Sequence, residues 1–290
     1  MRLALIVQGH KNPEQIARLV RRVQSDDTRV WTHVTAVNKG LDEDVRRLLS
    51  GVPNVEHVPS QRMYYNHWSF MKAILLSIDT VLASGFPCDY IVLLTGQDYP
   101  LLARQEMLCY FERADGRSML DYGRLPRADW TNGGVDRFAK YHFVIPKVRP
   151  HQGEYRFEIS PPFARSLPPG FQLWGGSGYW GLSRSHAQHL MQIVRDTPAL
   201  ERDFRLSSVP DEMFVQSLLL STLPHDEFIC QPTSFAVWDK PGGPWPAILE
   251  KSDYQQIAAS ELPFARKFDA TVDSEILDLL DQRAGEGPAG

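Results

Sequence analysis

Apolar residues follow two rhythms along this chain. Leu3, Ala4, Leu5, Ile6 and Val7 form a short, unbroken apolar run, the mark of a strand buried on both faces in a parallel sheet. Gly9-His10-Lys11-Asn12-Pro13 follows as a turn. Pro13 is placed to open a helix over residues 14–24, with Ile16, Leu19, Val20 and Val23 on one face. Residues 30–36 read as a second strand. Strand, turn, helix and strand in that order begin an α/β nucleotide-binding sheet. A short helix is predicted over 42–49 and a third strand over 55–58. Residues 69–83 carry Phe70, Ala73, Ile74, Ser77, Ile78 and Val81 at helical spacing. Tyr90-Ile91-Val92-Leu93-Leu94 is a second strongly apolar strand, predicted to be central. It ends at Thr95-Gly96-Gln97-Asp98-Tyr99-Pro100, and ligands of open α/β sheets gather at such strand ends.

From about residue 123 to 178 the rhythm is lost. This stretch is rich in Pro, Gly, Arg and aromatic residues, and reads as irregular structure with short strands lining a groove. Helices return over 185–195 and 211–220. Residues beyond 282 are rich in Gly, Ala and Glu and read as a frayed tail. No internal repeat is present.

Composition narrows the class. The 290 residues, 43% hydrophobic and 23% charged, are those of an ordinary globular protein with enough chain for a large core. A net charge of −4 argues against a general nucleic-acid binder but leaves room for a local basic cleft. Cys88, Cys109 and Cys230 are widely spaced and odd in number, so neither a zinc pattern nor a disulfide framework is expected, only buried thiols in a reducing compartment. The opening apolar run is too short for a signal peptide, and no window supplies ~18 apolar residues in a row. The expectation is a cytoplasmic protein with no integral membrane segment, able to sit peripherally at the inner membrane through a partner.

Four motifs can carry chemistry. Asp98, just past a buried strand, is placed to touch a ribose, a sugar hydroxyl or a metal; the alternative is a turn that Asp98 caps and Pro100 stiffens. In Trp174-Gly175-Gly176-Ser177-Gly178-Tyr179-Trp180-Gly181-Leu182-Ser183, the glycines let backbone approach a ligand and the aromatics can stack on a sugar ring. A strand bend with core aromatics explains the same residues. The segment lacks the Gly-Lys-Ser/Thr ending of a phosphate loop. In Pro210-Asp211-Glu212, Asp211 near a helix start is explained by capping, while Glu212 points about a quarter turn away and is free to face a cleft as a general base. In Phe264-Ala265-Arg266-Lys267-Phe268-Asp269, two adjacent cations between apolar anchors can hold a diphosphate leaving group. Such a pair takes the stabilising role of a magnesium ion; the alternative is an exposed charged strand edge.

Taken together, these residues resemble the core-2/I-branching β-1,6-N-acetylglucosaminyltransferase family, which includes the peptide O-xylosyltransferases. Six blocks match in order: Ala4 through Pro13, Tyr64-Tyr65-Asn66-His67-Trp68-Ser69, Leu94 through Pro100, Gly176 through Arg184, Pro210-Asp211-Glu212, and Phe264 through Asp269. The resemblance implies a bacterial-type member with a GT-A fold, a Rossmann-like mixed sheet flanked by helices. It implies one domain over 1–282 and a flexible tail over 283–290. Residues 1–122 or so would bind the nucleotide sugar, and 123–282 would serve acceptor and catalysis.

The resemblance further implies an inverting single displacement from a UDP-sugar to a glycan or other hydroxyl acceptor. The default sugar is GlcNAc, with xylose or another sugar open, and no metal or other cofactor is implied. The family's glutamate base falls on Glu212 and its diphosphate-binding lysine on Lys267. Its acceptor-side basic segment falls on Arg137 to Lys140, and an acceptor-site tryptophan on Trp238. His10, Asp98, Gly176, Ser177, Gly178, Tyr179 and Trp180 would shape the donor and acceptor pocket. The family's arginine ahead of the final block has no counterpart between Asp239 and Tyr254, which leaves Arg266 as its substitute. The early acidic strand end is replaced by His33-Val34-Thr35-Ala36-Val37-Asn38-Lys39, and the family's disulfide cysteines and membrane anchor are absent. Two alternatives stand beside the transferase: a nucleotide- or glycan-binding protein of the same fold without catalysis, and a glycoside hydrolase using Asp98 and Glu212 as opposed carboxylates.

Overall fold

A computed structural model describes residues 1–64, 66–149, 153–165, 171–238 and 246–285. Strand β1 (Leu3–Gly9) is buried along its whole length. Leu3, Leu5 and Val7 join one apolar cluster with Ile16, Leu19, Val20 and Val23 of α1 (Pro13–Val23). Ala4 and Ile6 face the other side, and join a second cluster that contains Phe70, Ala73, Ile74 and Ile78. A strand covered on both faces has no solvent side to alternate with, which is why its sequence is apolar throughout.

The chain continues through β2 (Thr28–Val34), α2 (Leu41–Leu48), β3 (Val55–His57), α3 (Trp68–Ala83) and β4 (Tyr90–Thr95). Helix α3 starts where the His67 ring nitrogen accepts from the Ser69 amide at 3.0 Å, a side-chain cap for an otherwise orphaned donor. β3, β2, β1 and β4 are neighbours in that order and all parallel.

Past this point come β5 (Asp98–Pro100), α4 (Arg104–Glu112), β6 (Ser118–Met119), β7 (Gly123–Arg124), α5 (Asp136–Ala139), β8 (Phe143–Arg149), β9 (Gly153–Ile159), β10 (Trp174–Gly175), β11 (Gly181–Ser183), α6 (Arg184–Asp196), α7 (Pro198–Phe204), α8 (Phe214–Leu220), β12 (Phe228–Ile229), β13 (Ser234–Ala236), α9 (Tyr254–Ala258), β14 (Phe264–Arg266) and α10 (Glu275–Arg283). β11 inserts antiparallel between β4 and β6, and the main sheet runs β12-β6-β11-β4-β1-β2-β3. The expected class, a Rossmann-like mixed sheet flanked by helices, is the one observed. A second sheet, β13-β14-β5, ties the loop after β4 to the last motif of the sequence.

Several expectations change. The turn at 95–100 continues into β5 rather than remaining a loop, because β14 pairs with it. The single helix expected over 211–220 is a 3-10 turn, Pro210–Glu212, and then α8, separated by Met213 at φ −135°. The irregular stretch contains the seven-residue strands β8 and β9, paired antiparallel. Of the tail expected over 283–290, Arg283 still belongs to α10, and residues 286–290 lie outside the described residues. Among the thiols, Cys88 is buried as expected, whereas Cys109 is half-buried and Cys230 exposed. Among the described residues no helix is long and apolar enough to cross a membrane.

Helix α10 is locked to α1 by buried charge. Asp281 is fully buried and accepts from Arg18 at 2.7 Å, from Arg22 at 3.0 Å and from the Tyr99 hydroxyl at 2.8 Å. Arg22 is itself almost wholly buried, and such a cation is tolerable only with its carboxylate in place.

Candidate active site

Glu212 is presented by a distorted turn. Val209 adopts a left-handed conformation at φ 50°, which costs a β-branched residue on the order of 1–3 kcal/mol. The 3-10 turn that follows sends the Glu212 carbonyl to the Gly176 amide at 2.9 Å. The Glu212 carboxylate accepts from the Arg137 guanidinium at 2.5 Å, both side chains being about a quarter exposed. Arg137 lies 3.8 Å above the centre of the Trp130 ring, so the ring fixes the arginine and the arginine fixes the carboxylate. Asp211 does not cap the turn, contrary to the reading from sequence. Its side chain is 6% exposed and its Oδ1 has no hydrogen-bond partner.

The glycine-rich segment packs against this turn. A side chain at Gly176 would put its Cβ 2.0 Å from the Asp121 carbonyl oxygen, so only glycine permits the approach. The Ser177 amide donates to the Asp121 carboxylate at 2.7 Å, and the Ser177 carbonyl accepts from Gln216 at 2.8 Å. Trp180 is fully buried in the core, so the strand-bend reading holds for it and ring stacking on a ligand does not. Tyr179 is half-buried and carries the Arg266 guanidinium 3.5 Å above its ring.

Arg266 is the hinge of the constellation. It lies on β14, which is buried and not an exposed edge. Its Nε is 3.8 Å from Asp98 Oδ1 and makes no hydrogen bond. Its charge acts on Asp211 and Glu212 on one side, and on His10 and Lys267 on the other. Asp98 differs from its expected role. It has no exposed surface, and its oxygens accept from the Thr95 amide at 2.8 Å, the Thr95 hydroxyl at 2.6 Å and the Ser234 hydroxyl at 2.8 Å. It anchors the second sheet beneath Arg266 and does not line a pocket.

A cationic cluster lies at the carboxyl end of β1. Burial, with Lys11, Lys267 and Arg266 nearby, holds the His10 imidazole down at about 4, so it is neutral at pH 7. Burial, Arg266 and Lys11 push the Lys267 ammonium down to about 8. Lys11 pairs with Asp269 at 2.6 Å, and Asn12 donates to the same carboxylate at 2.8 Å. Burial opposes the charge on Asp269, but hydrogen bonds from Lys11 and Thr271 prevail and hold it at about 2. At the other end, burial raises Glu212 while Arg137 pulls it back, and burial and then Glu212 raise Asp211.

The structure thus brings Glu212, Arg137, Gly176, Ser177, Gly178, Tyr179, Arg266, Lys267 and His10 into one neighbourhood. Lys140 is exposed and turns to Asp136 at 3.7 Å, and Trp238 is 56% exposed. Asp121, Trp130 and Lys11 escaped the sequence reading. Lys11 lies within the segment Ala4 through Pro13; Asp121 and Trp130 belong to no motif and are found only by folding. Among the described residues no group of three or more His, Cys, Asp or Glu side chains is disposed to hold a metal ion.

The core-2/I-branching enzyme family model matches residues 3–258, most of the chain. The protein belongs to the core-2/I-branching enzyme family. It is 24% identical to human xylosyltransferase 2 over 298 residues, covering 96% of this chain and 33% of that protein. It is also 24% identical to a zebrafish (Danio rerio) β-1,3-galactosyl-O-glycosyl-glycoprotein β-1,6-N-acetylglucosaminyltransferase 4 over 313 residues, covering 96% of this chain and 68% of that one. The chain therefore spans about a third of the length of the xylosyltransferases it matches. Within this family member the matched span includes Glu212 and the glycine segment, while Arg266 and Lys267 lie beyond it.

Proposed function

We propose that this protein is an inverting glycosyltransferase of GT-A type that moves a sugar from a UDP-sugar to a hydroxyl acceptor in one displacement, without a metal. One observation carries the reading: a carboxylate held by Arg137 and a cationic cluster around Lys267 lie on either side of Arg266, whose charge reaches both. Glu212 takes the proton of the acceptor hydroxyl as its oxygen bonds to the anomeric carbon. The bond from that carbon to the diphosphate breaks, and its electron pair leaves with UDP. Lys267, with Arg266 behind it, stabilises the charge that develops there. His10 is neutral beside them and offers a hydrogen bond rather than a competing charge. N-acetylglucosamine and xylose are the first donors to try, since the relatives named above are transferases of those sugars.

The glycoside hydrolase alternative loses support, because Asp98 is buried with both oxygens engaged and cannot oppose Glu212 across a substrate. The binding-protein alternative retains one supporting observation: Arg266 is already engaged by Tyr179 and Asp98. Release of UDP from UDP-N-acetylglucosamine and UDP-xylose, screened with and without glycan acceptors and repeated in EDTA, separates the readings. Turnover that persists in EDTA is the expected result. UDP binding by calorimetry with no turnover of any donor would favour the binding protein, and complete loss in EDTA would refute metal independence.

A further inference from the structure

The Asp211 carboxyl is unused by the mechanism above, yet it is buried beside the base and only partly satisfied. Its side chain is 6% exposed, and Oδ1 has no partner. Oδ2 lies behind the glycine segment, 3.1 Å from where a Cβ on Gly178 would sit. The charged groups that act on it come from three elements: Glu212 from the same turn, Arg137 from α5 and Arg266 from β14. Asp121, from the loop after β6, adds its charge at Glu212. Arg137 directs its short hydrogen bond to Glu212, and Arg266 turns its stacking face to Tyr179. A second full negative charge here would lie in a low-dielectric wall with Oδ1 unpartnered and a backbone amide as the donor that opposes burial, a costly arrangement.

We propose that Asp211 is a positioning residue for the base: the Asp211–Glu212 pair carries one negative charge between them, with the proton on Asp211 and the charge on Glu212. This rests on Glu212 being the base. In the resting protein Asp211 is neutral and Glu212 is the carboxylate that faces Arg137. When Glu212 takes the acceptor proton the pair becomes neutral, and that proton leaves to water along the exposed edge of Glu212 while the Asp211 proton stays. Keeping Asp211 neutral spares Glu212 a buried like charge, so the charge of the pair stays where the acceptor arrives.

Asp211→Asn is close to isosteric and mimics the neutral carboxyl, so it tests this directly. Thermal unfolding followed from pH 5 to 8 needs no substrate. A carboxyl raised in the folded state binds its proton more tightly there, so wild-type stability falls as pH rises above the ordinary unfolded carboxylate value. The Asn variant escapes that loss, and its midpoint should exceed wild type by a margin that widens with pH. Transfer from UDP-N-acetylglucosamine or UDP-xylose should stay within about twofold of wild type below neutrality, with a single ionisation on the acid limb of kcat/KM in place of a coupled pair. A variant less stable than wild type at pH 7, or one slower by the same factor at every pH, would overturn the inference, because Asp211 would then be a structural anion. Asp211→Ala separates out packing: it also lacks the titrating carboxyl, so its midpoint should run parallel to that of the Asn variant across pH, lower by a constant amount. Glu212→Gln is the separate arm: full activity there defeats the base assignment itself, whatever Asp211 does.

Discussion

Burial acts in opposite directions at the two ends of this site. Around Glu212 and Asp211 it raises carboxyls, and around His10 and Lys267 it lowers cations. The same loss of water makes one end a better proton acceptor and the other an underused set of positive charges. Each end is uncomfortable alone, and in the proposed reaction each is relieved by one half of the transfer: a proton arriving at the acids, a diphosphate arriving at the cations. Arg266 couples the two electrostatically, which is why a likeness of sequence at two distant motifs becomes one constellation in space.

The largest effect should come from the acidic end. Glu212→Gln should lower transfer by ~10²–10⁴-fold, the usual contribution of a general base, while calorimetry shows UDP binding unchanged; equal losses in both would erase the distinction between the ends. Lys267→Ala should act on the other end, weakening UDP binding by about 10-fold to 100-fold, as expected for loss of a charge-assisted contact. In the wild type, UDP affinity should decline as pH rises past about 8, where Lys267 loses its charge; an affinity flat from pH 6 to 9 would remove Lys267 from the contact.

A smaller and more diagnostic effect concerns Arg137, which holds Glu212 down against burial. Arg137→Ala should move the acid limb of kcat/KM to higher pH. Activity near pH 6 then falls by roughly 10-fold for each pH unit the limb moves, and recovers at alkaline pH. A loss independent of pH would mean that Arg137 serves only the acceptor. Smallest is Asp269→Asn, which removes the acceptor for Lys11 and Asn12 and should cost about 1–3 kcal/mol in urea unfolding at pH 7. Because the folded state holds this carboxyl at about 2, its contribution is present above the unfolded carboxylate value and is lost as pH falls towards 2. The gap between variant and wild type should therefore close in acid.

The first half of the chain was legible because its strands are buried on both faces and its helices are amphipathic. Leu3 to Val7 and Tyr90 to Leu94 announce themselves by composition alone, and α1 and α3 by spacing. The second half obeys longer-range rules. β14 looks from its sequence like a charged edge, and only pairing with β5 and β13 buries Arg266. Asp211 looks like a cap because acids near helix starts usually are; the break at Met213 and the left-handed Val209 turn it inward. Asp98 looks like a ligand for sugar, yet Thr95 and Ser234 occupy it. In each case the side chain has the chemistry its type suggests, and the partner, more than a hundred residues away for Ser234 and β14, decides its use.

The Asp281 lock has a consequence for how the chain is made. Arg22 finds its carboxylate 259 residues later in sequence. At a synthesis rate of ~5–20 residues per second, the arginines of α1 wait about 10–50 s for that partner to be built. Through that interval α1 lacks the Asp281 carboxylate that Arg18 and Arg22 share in the finished molecule. The ion pairs that fix α1 against α10 are therefore among the last contacts to form, however soon β1 and α1 themselves are made.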